Sequence, residues 1–257
     1  MKLNILFILV AASFGRTFDA VAQSQDSLRN TMVFSGSVGM TTNGFSIIPS
    51  FSLNSPALVS ILSWRRNRFS VSPDVRLTPD LRKGGAILWF RYQLVEKKKF
   101  TFRMGAHPGF NFQLRDITSN GNSSTISQMR RFLAWEMAPN LILKKNWTMG
   151  LYYMQGNGLQ LDGPRTIHFL TVNTLVSKIP LTGKLKLNIY GAAYHLFLDG
   201  YKGRYITGTL ALTHPRSPIS LESSFNKTID ADLPGNQDFL WNLSLNYNFR
   251  KTFYKMN

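Results

Sequence analysis

From Phe100 onward the chain keeps a strict period of two. Phe100, Phe102, Met104, Ala106, Pro108, Phe110, Phe112 and Leu114 are all apolar, and the intervening Thr101, Arg103, Gly105, His107, Gly109, Asn111, Gln113 and Arg115 are not. An extended strand sends successive side chains to opposite faces, whereas a helix returns to one face every three to four residues. This stretch therefore has one greasy face and one polar face. The final segment repeats the pattern, with Phe239, Trp241, Leu243, Leu245, Tyr247 and Phe249 set against Asn242, Ser244, Asn246 and Asn248, and Leu240 as the exception.

Applied along the chain, the same reading gives candidate strands at 45–53, 57–64, 69–77, 86–94, 100–114, 130–143, 147–157, 166–177, 184–198, 205–213, 218–227 and 239–249. Tilted membrane strands need about 9 to 11 residues, and strands of soluble sandwiches are more often about 5 or 6. The expected fold is all-β: a single antiparallel transmembrane β-barrel of outer-membrane type with about 12 strands. The links support it, because such barrels alternate short periplasmic turns with longer external loops. Links 65–68, 95–99, 144–146, 178–183 and 213–218 are short. Between them lie the longer 78–85, 115–129, 158–165, 199–204 and 228–238. Only Asn54-Ser55-Pro56 is too short for its class. Residues 31–40 also alternate, but a thirteenth strand would break the even count, so they are read as a lead-in that extends the first strand or tucks into the lumen.

The N-terminus sets the compartment. Lys2, the apolar run Leu3 to Phe14 and the small-residue ending Ala20-Val21-Ala22 have the layout of a secretory signal peptide, cleaved before Gln23. The organisation expected is a signal peptide at 1–22, a periplasmic lead-in or lumen segment at 23–44, a transmembrane barrel at 45–249 and a basic tail at 250–257. Export to the outer membrane makes nucleic acid an unlikely partner despite the formal charge of +17. With no Cys in the chain, disulfides, Cys-ligated zinc and Cys nucleophiles are excluded.

The stretches Gly44-Phe45-Ser46-Ile47-Ile48-Pro49-Ser50-Phe51, Phe69-Ser70-Val71-Ser72-Pro73-Asp74-Val75-Arg76 and Gly105-Ala106-His107-Pro108-Gly109-Phe110-Asn111-Phe112 resemble uncharacterised outer-membrane barrels of Bacteroidota. The resemblance implies a barrel and carries no functional residues. Many barrels end on the last strand's aromatic residue, whereas here Arg250 to Asn257 follow Phe249. Either the assembly signal is internal or the final strand runs on to Phe253.

If apolar positions face lipid, then Asp74 and Arg76, Arg91, Arg103, His107 and Arg115, and Glu136 and Asn140 point inward from four consecutive strands. Such a basic wall suits small anionic solutes, as rings of Arg and Lys do in anion pores. The same residues can instead form a structural network, with Arg103 or Arg91 paired to Glu136 or Asp74 in a packed lumen. Basic clusters at Arg65, Arg66 and Arg68, Lys97 to Lys99, Lys144 and Lys145, and Arg250 and Lys251 fall on the periplasmic side, within reach of outer-membrane lipid headgroups. Trp64, Trp147, Tyr153, Trp241 and Tyr247 suit interfacial girdles, with Trp89 and Tyr152 on the inward phase.

The chain has neither a Gly-x-Ser-x-Gly elbow nor a His-Glu-x-x-His run. No catalytic, cofactor or metal site is therefore assigned. The first reading is a pore or transport channel for small anionic solutes, and the alternative is a non-conducting structural or accessory subunit of a larger outer-membrane complex, with a protein partner in the outer membrane. An outer-membrane lipid hydrolase ranks third.

Overall fold

The computed structural model describes residues 31–46, 52–119, 122–160 and 165–254. The signal peptide expected at 1–22 lies outside the described residues. Twelve strands are present: β1 (Thr31–Thr41), β2 (Ala57–Arg66), β3 (Phe69–Leu77), β4 (Gly84–Glu96), β5 (Phe100–Ser119), β6 (Asn122–Lys144), β7 (Trp147–Gly158), β8 (Thr166–Pro180), β9 (Lys186–Leu198), β10 (Tyr201–Thr213), β11 (Ile219–Ala231) and β12 (Phe239–Tyr254). Each pairs antiparallel with its sequence neighbours, and β1 with β12 closes the barrel. Closure leaves no open edge around the wall, which answers the aggregation hazard of unpaired strands.

The strand count agrees with the sequence reading, but the first strand is a different one. Residues 31–41 form β1, not a lead-in, with Val38 opposite Tyr247 on one side and Ser60 on the other. The segment read as the first strand, 45–53, belongs to the link between β1 and β2. Its described ends fold back on each other: the Leu53 amide donates to the Gly44 carbonyl at 3.1 Å, and the Ser46 amide donates to the Ser52 hydroxyl at 3.0 Å. This link joins the class of long ones, so the anomalously short connection at residues 54–56 disappears.

Two further boundaries move outward. β12 continues to Tyr254 because Thr31 to Ser35 of β1 supply its partners, so 250–254 are wall, not tail. The loop expected at 115–129 is mostly paired strand. β4 stops pairing with β5 at Phe112, and β7 pairs with β6 only from Phe132. Beyond those points the two long strands continue as a projecting hairpin, with Asp116 accepting a 2.6 Å hydrogen bond from the Thr125 hydroxyl opposite it.

The links after β2, β4, β6, β8 and β10 lie at one end, the short-turn end, with both strand termini of the chain, and the links after the odd-numbered strands lie at the other, the long-link end; there the link expected at 199–204 is only Asp199 and Gly200, because β9 and β10 stay paired up to Leu198 and Tyr201. Outward positions are apolar and exposed: Leu88 and Phe90 on β4, Met104 and Phe110 on β5, Leu133 and Trp135 on β6, Leu221 and Phe225 on β11, Trp241 and Leu245 on β12. Inward positions hold the core. A cluster built from Trp89, Tyr152, Met154, Phe169, Tyr194, Leu196 and Tyr205 fills the half nearer the long links, and Leu233 and Phe45 of two links pack against it. The barrel is thus greasy on both faces at this height, because its interior is filled by side chains of its own wall.

Candidate functional site

At the centre of the lumen one carboxylate gathers three neighbours. Glu136, fully buried on β6, accepts hydrogen bonds from Arg91 Nε at 2.7 Å, Arg91 Nη2 at 3.3 Å and the Tyr152 hydroxyl at 2.8 Å. Arg103 Nε lies 3.2 Å from the same carboxylate. The register explains how residues far apart in sequence meet. Arg91 is opposite Gly105, and Gly105 is opposite Glu136, so the three line up across β4, β5 and β6. A side chain at Gly105 would put its Cβ 2.9 Å from Arg91 Cγ and 3.1 Å from Glu136 Cγ. Glycine there opens the path for Arg91 to cross one strand. A buried carboxylate is tolerated only when paired and hydrogen-bonded, and two guanidinium groups with one phenol supply both conditions.

Arg91 also lies over the Trp89 indole, 3.9 Å from the ring centroid, a cation–π contact that adds to the ion pair. The same indole packs against His107, with ring centroids 3.9 Å apart. His107 is 2% exposed, and neither of its ring nitrogens has a hydrogen-bond partner.

A second pair, Asp74 and Arg76 on β3, sits nearer the long-link end. Arg76 Nε is 3.4 Å from Asp74 Oδ1, and Nη1 donates to the Phe45 carbonyl at 2.7 Å. That last bond ties the first link into the barrel mouth, where Leu53 is buried. Gly44 makes the approach possible: its φ is +52°, and an added Cβ would fall 2.8 Å from Leu53 Cβ.

Of the residues expected to line the lumen, Arg91, Arg103 and Glu136 meet in one network, His107 lies beside Trp89, and Asp74 and Arg76 form the separate pair. Asn140 is on the inward phase but bonds locally, its amide donating to the Ala138 carbonyl at 3.1 Å. Arg115 does not line the lumen. It is exposed on the projecting hairpin, where its Nη1 donates to Gln128 at 3.2 Å. Its phase is the inward one, but no β4 wall stands beside it at that height.

The sequence reading overlooked the far wall. Tyr194 and Tyr205 stack with centroids 4.8 Å apart. The Tyr194 hydroxyl donates to Asn226 at 2.9 Å, and the Tyr205 hydroxyl donates to Asn236 at 3.0 Å. The available signal was the run of large residues on the inward phase of β9, where Tyr190, Tyr194, Leu196 and Leu198 leave little room for water. Among the described residues no group of three or more His, Asp or Glu is placed to hold a metal ion. His168 pairs with the Tyr153 hydroxyl at 2.8 Å, on the outward phase of the wall.

Cavities flank the central network. One of about 100 Å³ lies on the long-link side against His107 and Trp89. Another, of about 560 Å³, opens at the short-turn end and is lined by Ser35, Ser63, Lys178, Lys186, Asn188 and Arg250 among others.

The fold and its packed lumen define a class: a closed, twelve-stranded antiparallel barrel with an apolar outer belt. No protein-family model matches the chain, and no curated protein matches it. Solved structures are similar in fold. The KdgM porin in complex with disordered oligogalacturonate shares 12% identity and a TM-score of 0.49, over 84% of this chain and 99% of that one. The beta domain of the Bordetella autotransporter Brka shares 12% and a TM-score of 0.46, over 86% and 98%. OmpT, an outer-membrane protein of Vibrio cholerae, shares 10% and a TM-score of 0.45, over 89% and 100%.

Proposed function

We propose that this is an outer-membrane barrel that is closed at rest and serves as a non-conducting structural or accessory barrel, with a protein partner in the same membrane. Its apolar outer belt supports the membrane location, since in such barrels the lipid-facing and lumen-facing residues alternate. The observation that carries the closed reading is burial at mid-height on opposite sides of the lumen, with only Arg91 and Arg103 of the central network keeping 20% and 26% of their side chains accessible. Glu136 is 0%, Asn226 1%, His107 2% and Thr207 3% exposed, from β6, β11, β5 and β10. Side chains lining a water-filled channel would keep accessible surface, and these inward-facing ones have almost none. The basic wall is also largely spent, because Glu136 holds Arg91 and Arg103 while Asp74 holds Arg76.

The decisive experiment is single-channel recording of the purified barrel in a planar bilayer. No stable conductance is expected across a wide voltage range. A steady anion-selective conductance, reduced by Arg103→Glu, would replace this reading with the pore. The pore remains the second reading because of one feature: the cavity of about 560 Å³ at the short-turn end has Lys178, Lys186 and Arg250 in its lining and no carboxylate. A cluster of like charge at a low-dielectric mouth raises the local concentration of anions.

A further inference from the structure

Two cations at the short-turn end belong to paired strands and carry the outward phase. Lys251 lies within β12, with Phe249 and Phe253 two residues away on either side, and Arg66 ends β2. The register sets them on the two neighbours of β1, at the seam where the barrel closes. Lys251 is opposite Phe34, which is opposite Trp64; Phe253 is opposite Met32, which is opposite Arg66. Phe34 stacks on Trp64 and packs against Phe249, with ring centroids 4.8 and 5.3 Å apart. The Lys251 ammonium leans toward the strand end, 5.2 Å from the Phe253 ring centroid, as a lysine does when its stem lies on an apolar surface. That lean brings it into the row of Arg66, with only β1 between, and strands lie about 4.8 Å apart. Neither charge is balanced on this face. Arg65, on the inward phase of β2, holds Glu96 at 2.9 Å, but among the described residues neither Arg66 nor Lys251 is paired with a carboxylate.

We propose that Lys251 and Arg66 hold the phosphate of one anionic phospholipid across β1, with its acyl chains lying on the face built by Phe34, Trp64 and Phe249. The site rests on the reading of the chain as an outer-membrane barrel. A cation on the lipid face is costly at mid-membrane and tolerated at headgroup level, where aromatic rings also collect, so this row marks the level of the phosphates. Water there can solvate each cation but brings no negative charge. A phosphate does, and it takes the two-pronged guanidinium and the point charge of the ammonium together. The rings lie on the membrane side of both cations, which favours a lipid over a soluble phosphate. A net negative headgroup is favoured over a zwitterionic one, because choline or ethanolamine would bring a third cation to two that already repel.

The test is native mass spectrometry of the whole barrel in a non-ionic detergent, titrated with dioleoylphosphatidylglycerol. One lipid adduct should saturate ahead of the rest, with dioleoylphosphatidylcholine needing about fivefold more. Arg66→Gln combined with Lys251→Gln should weaken that adduct about tenfold. Lys98→Gln combined with Lys99→Gln removes two charges from the turn between β4 and β5 and should leave it unchanged. If the first pair fails to fold, as judged by heat-modifiable gel mobility, the single variants carry the test, each weakening the adduct about threefold. A first adduct that shows no preference over phosphatidylcholine, that millimolar inorganic phosphate displaces, that survives loss of both cations, or that the turn variant weakens equally would overturn the site. Insertion into dioleoylphosphatidylcholine vesicles separates the two readings. A barrel that does not enter them refutes the membrane location itself, and one that enters but shows no preferred adduct refutes the lipid site alone.

Discussion

Glu136 stands where two cations and a phenol converge, so its charge can be removed almost without changing its shape. Glu136→Gln keeps an acceptor for the Tyr152 hydroxyl but leaves Arg91 and Arg103 facing each other without a counter-ion. Breaking a buried pair by neutralising one partner costs about 3–5 kcal/mol. Urea-induced unfolding of the barrel in micelles should show a loss of that order. Arg115→Ala removes an arginine of the same phase and the same strand as Arg103, but one exposed beyond the wall. Its effect should stay within about 0.5 kcal/mol. An equal loss in both variants would mean that the central network has no special weight. The residue types in this network were legible in the sequence because alternation fixed which face each occupied. Which Arg meets which acid was not, since the partners lie 45 residues apart and depend on a register that only the folded wall sets.

At the scale of the strand, β1 carries the clearest lesson. Its inward face is Ser35, Ser37, Gly39 and Thr41, too small and polar to advertise a core, and the even-count rule then favoured the wrong segment. The stretch 45–53 alternates as well as any strand, but its described ends pair with each other rather than with the wall. Alternation records two faces and does not say what each one meets. Deleting residues 31–41 should therefore abolish the heat-modifiable folded form, because β12 and β2 lose their shared neighbour; survival of that form would restore the lead-in reading. A milder probe is Gly39. A Cβ there would collide with the Asn246 side chain and stand 2.6 Å from the Leu245 carbonyl, at the closing seam. Gly39→Val should cut the folded yield severely. Gly191→Val, on β9 where an added Cβ meets only Thr174 Cγ2 at 3.9 Å, should fold like the parent.

For the whole molecule, the question is where water reaches, and the wall itself offers a way to map it. The chain has no Cys, so single-cysteine variants report one position each. If the barrel is packed at mid-height, Thr207→Cys and Asn226→Cys should resist a water-soluble maleimide in the folded state and react once the protein is unfolded. Ser35→Cys lines the cavity at the short-turn mouth and should react without unfolding. Phe110→Cys, outward on β5, should react with a lipid-soluble reagent and not with the water-soluble one. The four positions separate three geometries. An open pore labels Thr207 and Asn226 variants as fast as Ser35. A one-residue register error inverts the inward and outward sets together, because the side-chain period is two. A closed barrel in the present register protects the middle, exposes the mouth and leaves the belt to lipid. The pattern also bears on the charge. Protection at mid-height together with labelling at the mouth would confine anion attraction to the short-turn vestibule, where Lys186 and Arg250 face water, and would remove the central arginines from any conduction path.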